Sequence, residues 1–285
     1  MRHSNLTLFI ALFFAALTSI GASAQELPFK GGENLSYKLH YKWGVINADI
    51  AKLDFNVKEE IYQGTPCFRL VTKGATSNLA ASIVKVKYLY DSRFSRDGLA
   101  PLSFYREQTE GSYWAKNNYS WENNGRRLKA HVEKSTRGVR DTVFTSKSVI
   151  YDVITTLYGI RAADLDAVKN GGKLSFVAAL DRNLYDINVK FVKSEDKRVG
   201  EMGVMATDKF VMNIRRREGG ERLDKESSIA LSSKDSGALS PIYLWITPDE
   251  TRTIVAFSTG IAVGAINGRL VSASGLKSPL PKPVK

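Results

Sequence analysis

From Leu35 to Trp43 every second residue is apolar: Leu35, Tyr37, Leu39, Tyr41 and Trp43 share one face, while Ser36, Lys38, His40 and Lys42 share the other. Successive side chains of a strand point to opposite faces, so a period of two commits this segment to a half-buried β-strand. The pattern recurs where Ala51, Leu53, Phe55 and Val57 alternate with Lys52, Asp54, Asn56 and Lys58. It returns in Tyr185, Ile187, Val189 and Phe191, and again in Phe210, Met212 and Ile214. Turn chemistry separates the runs. Asp97-Gly98, Glu110-Gly111-Ser112 and Asn123-Asn124-Gly125 supply the positive φ that tight hairpins require, which predicts a meander of about five strands from Val86 to Thr145. Helical spacing interrupts the alternation at Ile150, Val153, Ile154, Leu157 and Arg161, predicting a helix over about 149–163, and a shorter one is expected over Ser77–Val84. The expected fold is mainly β: a curved antiparallel sheet of about a dozen strands, a half-barrel or sandwich, with two packed helices.

The first residues read as an address. Arg2 and His3 precede an apolar run from Leu6 to Ile20, and Ala22-Ser23-Ala24 offers the small residues that signal peptidase accepts, so residues 1–24 are expected to be a cleaved signal peptide. No cysteine follows that junction for a lipid anchor, and no later apolar stretch reaches the roughly 20 residues that span a bilayer. Residues 25–275 then form a single β-rich domain, and 276–285, with Pro279, Pro281 and Pro283, a flexible unpacked tail. The expected location is the periplasm or the exterior. Cys67 is alone, so no intramolecular disulfide forms and the residue reads as a small buried apolar one. Lysine and arginine number 41 against 29 acids; removal of Arg2 with the signal lowers the net charge from +12 to +11. That excess favours anionic envelope neighbours, and the compartment excludes nucleic acid.

Reactive centres are scarce. After cleavage His40 and His131 remain, both on polar strand faces and neither with a second ligand at metal-binding spacing, so no metal, cofactor or catalytic residue is assigned. A serine or cysteine nucleophile lacks a suitable base, and nothing resembling Gly-x-Ser-x-Gly precedes a helix. Asp91, Glu107 and Glu110 are the acids that a two-carboxylate glycosidase reaction would draw on, and they read as ordinary acids on solvated faces. Aromatic residues crowd the meander, and Trp114 points opposite to Trp121 on one strand. Tyr88, Tyr90, Tyr105, Tyr113, Trp114 and Trp121 are therefore the candidate ligand-contacting set. Arg215 and Arg217 share a strand face, with Arg216 opposite, and are the candidate anion-binding pair.

Three segments carry a family resemblance: Gly32-Glu33-Asn34-Leu35-Ser36-Tyr37 to Trp43-Gly44-Val45-Ile46-Asn47-Ala48, Ser240-Pro241-Ile242-Tyr243-Leu244-Trp245-Ile246-Thr247-Pro248-Asp249, and Val263-Gly264-Ala265-Ile266-Asn267-Gly268-Arg269-Leu270. On these the chain resembles an exported bacterial family known as domain of unknown function 3108, over most of residues 30–273, and its signal junction resembles those of the Bacteroidetes. The family brings no activity that maps onto residues. A long antiparallel sheet curved around helices also looks like the half-barrel of periplasmic lipoprotein carriers, a likeness of fold alone. The expected function is an exported, non-enzymatic envelope-binding protein holding an apolar or amphipathic component, a lipid, glycolipid or glycan. The alternatives are a carbohydrate-active enzyme with paired carboxylates and a structural or interaction module.

Overall fold

In the computed structural model, which describes residues 26–44, 46–77, 85–218, 238–261 and 264–284, the alternating segments all join one 15-stranded sheet. In chain order the strands are β1 (Asn34–Trp43), β2 (Ile46–Tyr62), β3 (Thr65–Thr76), β4 (Val86–Ser95), β5 (Pro101–Glu110), β6 (Tyr113–Glu122), β7 (Arg127–Lys134) and β8 (Gly138–Thr145). There follow β9 (Ile150–Asp152), β10 (Leu174–Leu180), β11 (Asn183–Arg198), β12 (Val204–Arg216), β13 (Ile242–Ile246), β14 (Ile254–Gly260) and β15 (Ala265–Ser274). Spatially the order runs β8 to β1, then β15 back to β9, so β1 and β15 join two meanders side by side. Every pairing is antiparallel except β9 with β10. The sheet has 15 strands and not the expected dozen: Ile150–Asp152, read as the start of a helix, add β9, while 194–198 and 204–209, read as connections, lengthen β11 and β12 past a bulge at Phe191/Lys193.

Hairpin turns fall where their residues predict. Gly98, Gly111, Asn123, Asn124 and Gly125 all take positive φ, the conformation that glycine and asparagine tolerate. The described helices are α1 (Val153–Ala162) and α2 (Leu165–Lys169). The helix expected over 149–163 thus begins later, since Ile150–Asp152 pair in parallel with Val177–Ala179. Asp152 ends that strand as the N-cap of α1, accepting from the Ile154 and Thr155 amides at 2.8 Å each. The expected helix over Ser77–Val84 lies outside the described residues from 78 onward.

The two ends of the sheet meet. Ile150 donates its amide to the Gly125 carbonyl, the Trp121 indole N–H donates to the Ile150 carbonyl at 2.7 Å, and Ser92 donates to Asp152 at 2.9 Å. Strand β9 is thereby laid over the inner face of β4–β6, and the sheet is rolled on itself. One core fills the overlap with Phe94, Phe104, Tyr119, Leu128, Ile150, Ile154 and Tyr158. A second lies where α1 and α2 cover β10–β14, with Ile160, Leu165, Val168, Ile187, Phe210 and Leu244. Cys67 is buried as a free thiol. The C-terminal segment is extended as its prolines dictate, but it is docked and not loose: Leu276 and Leu280 pack on the first core, and the Val284 amide donates to the Val204 carbonyl. The apolar residues between the prolines, with an unfilled strand-end carbonyl to bond, correct the expectation of an unpacked tail.

Candidate functional site

Alternation along β12 places Arg215 toward the outside while Arg216 faces Tyr185, and Arg217 continues the Arg215 side just past the strand end. Both arginines line a groove of 540 Å³ between the end of β12, β11, β10 and the residues leading into β9. That volume lies in the range of small-molecule sites, roughly 300–1,000 Å³. The two guanidinium groups are held differently. Arg217 donates from Nε and Nη2 to Asp186 Oδ1 at 2.9 and 2.7 Å. Arg215, directly opposite Asp186 in the ladder, is exposed, and its side chain has no hydrogen-bond or ion-pair partner among the described residues.

Beside these cations Ser175 donates to Asn188 Oδ1 at 2.8 Å, which leaves the Asn188 side-chain N–H groups for the groove. Tyr151 and Phe176 form its apolar wall, edge to face at 5.5 Å. Burial pushes the Tyr151 hydroxyl up from its ordinary pKa, so it is a neutral donor and acceptor at physiological pH. The groove thus combines a cation without a side-chain partner among the described residues, amide donors and aromatic surface. Arg215 and Arg217 were legible as a pair from the period of two. Tyr151, Phe176, Ser175 and Asn188 were missed: Ser175, Phe176 and Asn188 come to the arginines through the β10–β11–β12 register and Tyr151 through the parallel pairing of β9 with β10, and no local motif announces either.

The six candidate aromatics are not gathered into one site. Tyr88 and Tyr90 stack on the inner face at 6.2 Å, Tyr113 is buried there, and Trp121 is tied to the Ile150 carbonyl. Tyr105 and Trp114 lie on the outer face, Tyr105 donating to Glu107 at 3.1 Å and Trp114, 38 % exposed, carrying the Lys116 ammonium over its ring at 5.8 Å. The inner tyrosines border a buried polar chain. Tyr88 donates to Glu110, the Gln108 amide donates to Glu110, Arg106 donates to Gln108 and, at 2.5 Å, to Asp181. Lys134 reaches Asp181 at 2.9 Å. Burial alone would raise the Asp181 pKa, but Arg106 and Lys134 outweigh it and hold the carboxyl at about 2. Asp181 sits in the β10–β11 turn, so this cluster staples that hairpin to β5–β7. Glu110 is buried in the chain, correcting its reading as a solvated acid. The sequence put it on a polar run, and its partners on β4 and β5 supply what water otherwise would. Asp91 is ion-paired with Arg69 and Arg93.

His40 bonds Asp49 and Asn47, and His131 bonds Asp141 and Glu133, all on outer strand surfaces. Among the described residues no group of three or more histidine, cysteine or acidic side chains is placed to hold a metal ion. No helix among them is long and apolar enough to cross a membrane.

With the fold and groove established, the family model described as "Protein of unknown function (DUF3108)" matches residues 36–271. The chain belongs to the DUF3108 family. The matched span contains the groove residues from Ser148 to Arg217, so the groove is part of the DUF3108 domain itself. Among solved structures, a beta-barrel-like protein of domain of unknown function DUF1849 from Brucella abortus is similar at 8 % identity, covering 88 % of this chain and 100 % of its own, with a TM-score of 0.53. That likeness concerns the barrel-like fold alone. No curated protein matches the sequence.

Proposed function

We propose that this DUF3108 protein is exported to the periplasm or beyond, as a protein of Bacteroidetes type, and serves there as a non-enzymatic binding protein for an amphipathic lipid or glycan component of the envelope. The observation that carries the reading is Arg215, whose side chain has no partner among the described residues and which lines a 540 Å³ groove together with Tyr151 and Phe176. An anionic head on the guanidinium and a ring or acyl portion on the aromatics match both surfaces. The signal-like N-terminus and the basic charge support the location. A two-carboxylate enzyme is less well supported: Asp91 is held by two arginines, Glu107 by Tyr105 and Glu110 by Tyr88 and Gln108, which occupies each of the three acids singled out.

The test is native mass spectrometry of protein purified from its producing cells under mild conditions, with parallel organic extraction. A co-purifying anionic lipid or glycan, reduced at least tenfold in Arg215→Gln, is the expected result. Ligand-free wild-type protein, together with unshifted amide resonances of Ser175, Asn188 and Arg215 on titration with an envelope lipid extract, overturns it.

A further inference from the structure

The outer face carries a second feature that the groove does not use. Cross-strand register lines up residues of neighbouring strands, and one such row runs from β11 through β12 to β15 and on through β1 to β6. Its charged members are Lys193, Lys209, Arg269, Lys38, Lys52 and Lys87, with neutral residues at the other strands and no acid; Trp245 and Ala256, its members on β13 and β14, are buried, so the open stretch runs from Arg269 to β6. Arg269, Lys38 and Lys52 are directly opposed on adjacent strands.

Like charges directly opposite one another destabilise a sheet, and neighbouring strands stand only about 4.8 Å apart. Some of the repulsion is relieved from the sides. Arg269 is paired with Asp49, Lys52 with Asp54, and Lys193 with Glu195. Lys38 and Lys87 are exposed and have no ion-pair partner among the described residues. Trp114, the most exposed indole described, ends the row at β6.

The shape of this charge selects its partner. The acid-free row is one residue wide: Asp49 flanks it on one side, and on the other the next row is mixed, running Asp54, Lys73, Leu89, Glu107 and Lys116. An anionic membrane would meet those acids together with the lysines, whereas an extended chain lying along the row meets cations alone. We propose that the row is a track for a linear acidic polysaccharide, its carboxylates spaced along Lys38, Lys52 and Lys87 and a sugar ring resting on Trp114. This goes beyond the groove reading and stands or falls separately from it, because the two sites share no residue.

The experiment titrates the full mature chain with polygalacturonate oligomers, neutral dextran and phosphatidylglycerol vesicles, by calorimetry at low and at physiological salt. Wild type is expected to bind polygalacturonate, more weakly as salt rises, and to ignore dextran. Lys38→Gln/Lys52→Gln/Lys87→Gln is expected to lose at least tenfold in affinity while keeping its fold and melting temperature, since all three side chains are exposed. Lys30→Gln/Lys147→Gln/Lys282→Gln removes the same charge from exposed sites off the row and is expected to bind as wild type. Absence of polygalacturonate binding, equal loss in the two triple variants, or binding to vesicles alone overturns the track. Arg215→Gln leaves polygalacturonate binding unchanged, which separates failure here from failure of the groove.

Discussion

Arg161 lies fork to fork against Glu33, with Nη1 2.6 Å from Oε1 and Nη2 2.8 Å from Oε2, and the two side chains are 1 % and 0 % exposed. The same guanidinium donates to the Thr251 and Arg252 carbonyls, and Tyr158 donates to Glu33 at 2.8 Å. One buried pair therefore joins α1, the segment entering β1 and the β13–β14 turn. A lone buried charge costs far more than the pair contributes, so Arg161→Met is expected to destabilise by about 3–5 kcal/mol. Glu33→Gln/Arg161→Met is expected to recover part of that loss, having no stranded carboxylate. Urea unfolding of both variants decides it: a single variant within about 1 kcal/mol of wild type would show that the pair anchors little.

Asp181 gives the fold an acid limb. Its folded pKa, about 2, lies below the ordinary 3.8. A depressed carboxyl contributes stability above its unfolded pKa and loses it as pH falls through the folded value. The window is therefore about pH 4 down to about pH 2, and the contribution is about 2 kcal/mol. Asp181→Asn is expected to lower stability at neutral pH and to flatten the unfolding free energy across that window. An unchanged slope in pH-dependent urea titrations would remove Asp181 from the account.

The two groove arginines are expected to part company in stability. Arg217 is clamped to Asp186, while the Arg215 side chain has no acid partner among the described residues. Arg215→Gln should melt within about 1 °C of wild type, since a surface change away from any partner lies within about ±0.5 kcal/mol. Arg217→Gln should lose up to about 1 kcal/mol, the range of a surface ion pair. Equal melting temperatures below wild type would mean that Arg215 has a structural partner.

Much of this was legible in the sequence because a period of two reports faces directly. The faces of β1, β2, β11 and β12, the hairpin turns after Asp97, Glu110 and Asn123, and the opposite directions of Trp114 and Trp121 follow from it. Strand β9 was not legible, since three residues alternate too briefly to override the helical spacing of Ile150, Val153 and Ile154. On β5 the inward residues below Phe104 are Arg106, Gln108 and Glu110. Hydropathy places such residues outside, and only their mutual hydrogen bonds and Asp181, 75 residues from Arg106, keep them inside. Glu33 and Arg161 are 128 residues apart, and no local pattern announces a contact at that separation. The groove has a similar origin, because Tyr151 joins the arginines only through the parallel pairing of β9 with β10, across α1 and α2 in the chain.

Gly268 carries the last prediction. It stands directly opposite Phe257 in the β14–β15 ladder, and a Cβ there would fall 2.1 Å from the ring. Its backbone is ordinary strand, so the requirement is space and not conformation. Partly buried Phe257 packs against both cores, where it touches Tyr37 at a centroid distance of 5.9 Å, and the ring has little freedom to withdraw. Gly268→Ala is expected to cost about 1–3 kcal/mol by overpacking. Phe257→Leu in the same chain should restore part of the loss, because the smaller side chain vacates the space the methyl needs. A double-mutant cycle by urea unfolding measures the coupling: additive losses would mean that Gly268 is required for a reason other than the ring beside it.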